Sequence, residues 1–249
     1  MIGIGIDIGS TAAKMSIYYK DKNKFEHIIM PTGWNCKDTA LNIKNRINEL
    51  GINNAKIVAT GYGRVSVPYA DKTLTEITCH AKGSLYLLGK DTTVIDIGGQ
   101  DTKVITIRNG KVVNFIMNDK CAAGTGRFLE LMSNSMGITI NELCEIGKND
   151  TNIKISSMCT VFAESEIISL IAEGTPKEDI CSSIIDAIVS KVSSLVSKCE
   201  IDSNYFLTGG LSKNNVILQR LSNKLKKPIY THKDAVFAGS IGAALIACE

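Results

Sequence analysis

Two aspartates occupy nearly the same short motif at two places in the chain. Residues 2–14 read IGIGIDIGSTAAK and residues 94–103 read VIDIGGQDTK, so each Asp-Ile-Gly follows an apolar, β-rich run and precedes a lysine. A carboxylate at a strand end can hold a hydrated Mg²⁺, and small residues after it let backbone N–H groups approach phosphate oxygens. The pattern predicts two phosphate-binding turns in which Asp7 and Asp96 position Mg²⁺.

Both turns are predicted to join two β-strands rather than a strand and a helix. KMSIYYK follows the first motif, and VITIRNGKVVNFIM follows the second, with Asn109-Gly110 as a hairpin turn signal. The Rossmann and P-loop fingerprints, which lead from a strand into a helix, do not occur in the sequence. The residues expected to contact nucleotide phosphates are Gly9, Ser10, Thr11, Ala12, Ala13, Lys14, Gly98, Gly99 and Gln100.

Two later segments contain small residues where a nucleotide or a helix would approach the backbone. FLTGGLSKN (206–214) predicts a strand, a double glycine and a helix start, and the double glycine lets a flat ring approach the backbone. AGSIGAALIA (238–247) predicts a helix that packs closely on its neighbours. Gln100 is expected to orient the attacking water, by analogy with glutamines at other phosphoryl-transfer sites, with Asp101 as the alternative.

These four elements, in this order, resemble the actin-like ATPase superfamily, which includes sugar kinases and the large heat-shock chaperones. The resemblance implies an α/β fold, namely a two-domain actin-like (duplicated ribonuclease H-like) ATPase with nucleotide and Mg²⁺ in the interdomain cleft. It also implies that Gly209, Gly210 and Lys213 border the adenosine. One domain is expected to comprise residues 1–88 and 236–249, and the other residues 89–235.

Two of the cysteines stand where a metal ligand would be favoured. NDKCAAGTGRFLELM (118–132) and SSMCTVFAESEIISLI (156–171) each place a cysteine before the predicted start of an amphipathic helix. A helix N-terminus stabilises a thiolate, so Cys121 and Cys159 are the two best candidates for metal ligands. The residues expected to form the apolar helical faces are Phe128, Leu129 and Met132 in the first segment and Ile167, Ile168 and Ile171 in the second.

Two thiolates are half the usual ligand set of a [4Fe–4S] cluster. No cysteine pair has the CxxC spacing, so the missing ligands would come from elsewhere in the chain or from a symmetry mate. A C2 dimer that supplies two ligands from each copy suits this geometry. Gly124, Thr125 and Gly126 open the first of the two helices and are candidates for phosphate contact. The other six of the eight cysteines are expected to be packing residues.

Six motifs, together with the double glycine and the small-residue helix, look like those of the 2-hydroxyacyl-CoA dehydratase activators. They are GIDIGSTAAK, TGYGR, EITCHAKG, DIGGQDTKV, NDKCAAGTGRF and CTVFAESE, which extend across essentially the whole chain. These activators belong to a group that also contains the ATPase subunits of benzoyl-CoA reductase. The resemblance implies an oxygen-sensitive homodimer with one [4Fe–4S] cluster, whose ligands fall on Cys121 and Cys159. It also implies that ferredoxin or flavodoxin supplies an electron, which ATP hydrolysis helps to transfer to a partner iron–sulfur dehydratase or reductase.

The composition is that of an ordinary globular protein of 249 residues. Lys and Arg number 28 and Asp and Glu 25, a formal net charge of +3, which argues against nucleic-acid binding as the main activity. No stretch approaches the roughly 20 apolar residues of a membrane span, and the N-terminus has no signal-peptide pattern. We therefore expect a cytoplasmic protein with reduced thiols and no membrane partner.

Two other functions are compatible with the superfamily. A small-molecule kinase would use Asp101 as its catalytic carboxylate, and a nucleotide-dependent assembly or chaperone module would do no redox chemistry; both leave Cys121 and Cys159 without a role. Glu76, Cys79 and His80 are expected in a packed helix, and Glu164 and Glu166 as acids at a helix start. Tyr62 and Arg64 suit a structural turn and partner docking equally.

Overall fold

The computed structural model describes residues 1–156, 159–199 and 204–249. The chain divides into two compact units, residues 1–94 with 105–114 and 232–249, and residues 95–104 with 115–231. None of the helices in the described ranges combines the length and apolar character that a membrane span requires.

The strands are β1 (Ile2–Ile8), β2 (Ala12–Tyr19), β3 (Lys24–Pro31), β4 (Ala55–Thr60), β5 (Lys72–Thr73), β6 (Thr93–Ile97), β7 (Thr102–Arg108), β8 (Lys111–Asn118), β9 (Tyr205–Gly209) and β10 (Ile229–Tyr230). The α-helices are α1 (Cys36–Glu49), α2 (Glu76–Leu88), α3 (Gly126–Ser135), α4 (Ile140–Ile146), α5 (Thr160–Ala172), α6 (Lys177–Val196), α7 (Asn215–Leu225) and α8 (Ala238–Ala247).

The strands form two five-stranded sheets of similar plan. Their orders are β3-β2-β1-β4-β5 and β10-β9-β6-β7-β8. In the first sheet β1 pairs antiparallel with β2 and parallel with β4. The two Asp-Ile-Gly motifs lie at the ends of β1 and β6, which are the middle strands of their sheets. The repeated Asp-Ile-Gly motif therefore occupies equivalent positions in the two sheets.

Both motifs lead into the hairpin turns that the sequence predicts. In each turn the N–H of the first residue donates to the carbonyl of the last, at 3.1 Å in the first turn (9–12) and at 2.9 Å in the second turn (98–101). A connection this short joins only antiparallel neighbours, whereas a parallel pair needs a long crossover. The predicted Asn109-Gly110 turn between β7 and β8 is also confirmed, with positive φ at both residues.

Glycines let helix α8 pack directly against the backbone of two neighbours in the first unit. A Cβ at Gly5 of β1 would overlap the carbonyl oxygen of Ser240, and a Cβ at Gly83 of α2 would overlap the carbonyl oxygen of Ala238. Residues 238–244 of α8 are all buried. The prediction of a closely packed small-residue helix is confirmed.

Helix α3 buries the predicted apolar face, but α5 does not. Phe128, Leu129 and Met132 of α3 are buried in the core of the second unit. In α5 the prediction of one buried face is wrong, because Ile167 is buried while Ile168 is 57% exposed. A helix that is apolar nearly all round leaves apolar side chains at the surface when only one stripe is covered.

Gly5→Ala is expected to lower the free energy of unfolding by about 3 kcal/mol, because the added methyl group collides with the backbone of α8. Gly210→Ala is the control, since no atom lies within 4 Å of a Cβ at that position, and a change below about 1 kcal/mol is expected. Chemical denaturation followed by circular dichroism measures both. Wild-type stability in Gly5→Ala would contradict the close packing of α8 on β1.

Candidate functional site

Asp7 is buried near the end of β1, and glycines from two other segments make room for its carboxylate. A Cβ at Gly239, in α8, would lie 2.6 Å from Asp7 Oδ2, and a Cβ at Gly61, in the TGYGR loop, would crowd Oδ1. Lys14 stands opposite Asp7 in the antiparallel register, and His80 Nε2 lies 3.9 Å from Asp7 Oδ2. The Asp7 carboxylate therefore has room only because positions 61 and 239 are glycines. Sequence reasoning did not assign this role to either glycine.

The first turn (9–12) is braced by one threonine. The Thr32 N–H donates to the Thr11 carbonyl at 3.0 Å, and the Thr32 hydroxyl donates to the Gly9 carbonyl at 2.7 Å. These bonds hold the turn in one conformation with its small residues near the surface. Phosphate contact stays a prediction for Gly9, Ser10, Thr11, Ala12, Ala13 and Lys14.

A lysine that sequence reasoning passed over holds the second turn (98–101) together. Lys103 is buried, with Nζ 2.7 Å from Asp101 Oδ2 and 3.5 Å from Asp96 Oδ2. The hydroxyl of Thr208, in β9, donates to Asp96 Oδ1 at 2.8 Å. Burying a polar or charged group is costly unless it has such a partner. A sequence signal existed, because Lys103 repeats, after Asp96, the spacing of the lysine in the first motif.

The ion pair with Lys103 distinguishes the two candidates for orienting water. Asp101 is engaged by Lys103, and a Cβ at Gly98 would overlap the Asp101 carboxylate, so this side chain is a structural part of the turn. Gln100 is exposed at the tip of the turn. The arrangement favours Gln100 over Asp101, and the role itself stays a prediction.

The double glycine after β9 has one structural position and one open position. Gly209 has a φ of 85°, and a Cβ there would overlap the Ile97 carbonyl oxygen. Among the described residues no atom lies within 4 Å of a Cβ at Gly210, and both Gly210 and Lys213 are exposed. The predicted strand and helix on either side are confirmed as β9 and α7, and contact of these residues with adenosine stays a prediction.

Cys121 and Cys159 are the two exposed thiols among the eight cysteines. Of the other six, five are buried and one is half-buried. Burial raises the pKa of Cys79 to about 12 and the pKa of Cys144 and of Cys181 to about 11, so these three thiols stay protonated at neutral pH. The two predicted ligands are therefore also the two most accessible thiols.

Cys121 lies in a loop and not at the first turn of a helix. Helix α3 begins at Gly126, so the expectation that a helix N-terminus adjoins Cys121 is wrong. Gly124 has a φ of 85°, a left-handed conformation that delays the helix start. We call residues 119–125 the Cys121 segment. Asn118, at the end of β8, holds this segment by donating from Nδ2 to the Cys121 carbonyl at 2.9 Å.

Cys159 is the N-cap of α5, as the sequence predicts. The positive end of the helix dipole favours negative charge at this position. The two acids that follow anchor neighbouring segments: Glu166 accepts from the Ser156 N–H at 2.9 Å, and Glu164 accepts from the Ser135 hydroxyl at 2.6 Å. Glu166 thereby holds the chain just before Cys159, and Glu164 links α5 to α3.

The start of α3 is bonded to the second turn (98–101). The N–H groups of Gly126 and Arg127 donate to the carbonyls of Gly98 and Gly99, at 2.9 and 2.7 Å. The start of α3 therefore lies directly against the turn, and the Gly126 N–H is engaged by protein. Phosphate contact by Gly124, Thr125 and Gly126 stays a prediction.

The remaining motif residues have structural positions. Cys79 and His80 are buried in α2, the packed helix that the sequence predicts. Arg64 donates from Nη1 to the Gly61 carbonyl at 3.0 Å, while Tyr62 is 74% exposed beside it. Across residues 1–156, 159–199 and 204–249, no group of three or more His, Cys, Asp and Glu side chains is arranged to hold a metal ion.

Comparison with known proteins finds similarity over the whole chain. The model of the BadF/BadG/BcrA/BcrD ATPase family matches residues 4–247. The (R)-2-hydroxyglutaryl-CoA dehydratase activating ATPase of Acidaminococcus fermentans is 41% identical over 249 residues, which cover 98% of this chain and 96% of that protein.

Two solved structures match the fold closely. Component A of the (R)-2-hydroxyglutaryl-CoA dehydratase of Acidaminococcus fermentans superposes with a TM-score of 0.92 at 40% identity, covering 100% of both chains. The activator of the 2-hydroxyisocaproyl-CoA dehydratase from Clostridium difficile, with bound ADPNP, has a TM-score of 0.89 at 38% identity, covering 99% of this chain and 94% of that one. The matches confirm the actin-like ATPase fold that the motifs predict.

Lys103→Met is expected to lower the free energy of unfolding by about 3–5 kcal/mol, because it removes the buried cation that lies 3.5 Å from Asp96 Oδ2 and 2.7 Å from Asp101 Oδ2. Lys56→Met is the matched control, since Lys56 pairs with Asp71 at 3.2 Å on the surface, where such a pair contributes about 1 kcal/mol or less. Urea unfolding measures both. Equal losses in the two variants would contradict the buried network.

In the reduced, iron-free chain, iodoacetamide is expected to modify Cys121 and Cys159 first, because both thiols are exposed. Cys79, Cys144 and Cys181 should react only after denaturation, since burial blocks access and raises their pKa. Peptide mass spectrometry at successive times measures the order. Early modification of the buried three would show that the exposure pattern is wrong.

Proposed function

Because the chain belongs to the BadF/BadG/BcrA/BcrD ATPase family, we propose that it is an ATP-dependent activator of a 2-hydroxyacyl-CoA dehydratase or a related iron–sulfur reductase. Two copies of the chain hold one [4Fe–4S] cluster, and ATP hydrolysis accompanies delivery of a low-potential electron to the partner enzyme. The electron donor in this proposal is ferredoxin or flavodoxin. The observation that carries the proposal is the exposure of Cys121 and Cys159 alone among eight thiols.

The donor set of the chain fits half of a cluster site. Cys121 and Cys159 provide two accessible sulfur ligands, and a [4Fe–4S] cluster takes four. When bound, the cluster supplies one-electron redox chemistry. The chain positions both ligands: Asn118 fixes the backbone at Cys121, and Cys159 is the N-cap of α5.

The surface of α5 supports a homodimer. Helix α5 begins directly after Cys159 and exposes four apolar side chains, Val161, Phe162, Ile168 and Ile171. Apolar groups clustered on one short helix are unfavourable in water unless another surface covers them. In a two-fold dimer the same surface patch of both copies meets at the symmetry axis. If two copies share a cluster at Cys159, the adjoining helix α5 of each copy would be covered by the other.

The two turns are proposed to bind ATP with Mg²⁺. The carboxylates of Asp7 and Asp96 are buried, and Asp96 already contacts Thr208 and Lys103, so both suit a role in orienting the waters of a hydrated Mg²⁺ rather than binding it directly. Gln100 orients the attacking water from the tip of the second turn (98–101). The adenosine is bordered by Gly209, Gly210 and Lys213, and phosphate contact also involves Gly124, Thr125 and Gly126.

Iron content and ATP turnover of matched variants test the proposal. Anaerobically prepared wild-type protein is expected to carry about four irons and four sulfides per dimer. Cys121→Ala and Cys159→Ala should lose the iron and keep nucleotide binding, because neither thiol belongs to the two turns. Asp96→Ala should keep the iron and lose ATP turnover, because the aspartate positions Mg²⁺.

Cys36→Ala is the control for loss of any cysteine and should retain both properties, since Cys36 is half-buried in the first unit. A colourless, iron-free anaerobic preparation of the wild type would exclude the cluster. Loss of iron in an Asp96→Ala protein that circular dichroism shows to be folded would contradict the division of roles, in which Asp96 serves ATP turnover and the two cysteines hold the cluster.

A further inference from the structure

We propose that Thr102 is a positioning residue that transmits the nucleotide-bound state of the second turn (98–101) to the Cys121 segment (119–125). The inference rests on the proposed function, because it takes the second turn to bind nucleotide and Cys121 to bind iron. It adds the physical connection between these two sites.

Three hydrogen bonds join the second turn and the strand after it to the residues that follow Cys121. Two are the backbone bonds from the start of α3 to the turn carbonyls. In the third, the Thr102 hydroxyl donates to the Gly124 carbonyl at 2.6 Å, and both residues are buried. Thr102 directly follows the turn and Gly124 closely follows Cys121, so this bond is a short link between the two sites.

The Cys121 segment is also held from other directions. Lys191 of α6 packs over Gly124, since a Cβ at Gly124 would lie 2.6 Å from Lys191 Cγ. Asn118 holds the Cys121 carbonyl from the end of β8. The backbone around Cys121 is therefore attached to β7, β8 and α6. A displacement of Thr102 must either move the Cys121 segment with it or break the bond to Gly124.

The structure leaves space beside this contact. A cavity of about 150 Å³ is lined by Thr102, Asn118, Gly124 and Lys191, among other residues. Packed interiors transmit displacement, and free space beside a bonded loop allows it a second position. An element with two positions, in contact with both sites, is the physical requirement for coupling between them.

Thr102 is the part of the connection that substitution can remove. The other two bonds are made by backbone groups, which side-chain changes leave in place. Valine has nearly the shape of threonine but has no hydroxyl to donate, whereas serine keeps the hydroxyl. Thr102→Val therefore removes the Gly124 bond, and Thr102→Ser retains it.

The test follows the reactivity of Cys121 in the full-length, reduced, iron-free chain. N-Ethylmaleimide labelling of the Cys121 peptide is timed by mass spectrometry at saturating Mg-ADP and at saturating Mg-ADPNP. Wild type, Thr102→Val and Thr102→Ser are compared with the control Ser182→Ala. The Ser182 hydroxyl also donates at 2.6 Å to a backbone carbonyl in the second unit, that of Asn149. Thermal unfolding establishes that each variant is folded.

The labelling rates of the wild type with the two nucleotides are expected to differ by about fivefold or more. Thr102→Val should bring their ratio clearly below the wild-type ratio, because only the two backbone bonds to the turn remain, while Thr102→Ser and Ser182→Ala should keep the wild-type ratio. The proposal is overturned by a wild-type ratio of one, by an unchanged ratio in Thr102→Val, or by an equal loss in Ser182→Ala. Labelling needs neither iron nor electron transfer, so failure here is distinguishable from failure of the proposed function, which iron content and ATP turnover test.

Discussion

The arrangement of the second turn (98–101) depends on one buried lysine. Lys103 is buried, with Nζ 2.7 Å from Asp101 Oδ2 and 3.5 Å from Asp96 Oδ2, and a charge with little access to water is costly unless it is paired. These ion pairs fix the position of the start of β7 relative to the end of β6. With the turn held in this way, its carbonyl groups accept the first N–H groups of α3, and the Cys121 segment (119–125) is placed as a consequence.

The two aspartate motifs are alike in sequence but are held by different contacts. Asp96 accepts from a hydroxyl and pairs with a buried lysine. Asp7 has a lysine opposite it in the hairpin and a histidine nearby, and its carboxylate fits because Gly61 and Gly239 have no side chain. The close packing of α8 on β1 brings Gly239 to this position, so the small residues of α8 serve the site as well as the core.

Features with a local cause were predictable from the sequence, and features that depend on distant partners were not. Both hairpin turns and the N-cap at Cys159 follow from short patterns, as does the buried face of α3. The opening of α3 at residues 124–126 was predicted, but the loop between Cys121 and this helix start was not, because it depends on Gly124 and on which distant carbonyls accept the first N–H groups.

Two further features could not be predicted, because they depend on which side chains are buried and which charges are paired: the role of Lys103 and the exposed side of α5. The role of Lys103 became visible only when its burial between two carboxylates was known, although its spacing repeats that of the first motif. In α5, apolar residues occur nearly all round the helix, so the pattern could not show that Ile168 faces outward.

The central claim is that the second turn and the Cys121 segment are displaced together when Mg-ADPNP replaces Mg-ADP. Hydrogen–deuterium exchange of the full-length protein, with Mg-ADP and then with Mg-ADPNP, measures this directly because the N–H groups of Gly126 and Arg127 are bonded to the turn. The account predicts that exchange in peptides covering 98–102 and 119–127 changes together, while the middle of α6 does not change. A nucleotide-dependent change in the turn with constant exchange in 119–127 would contradict it.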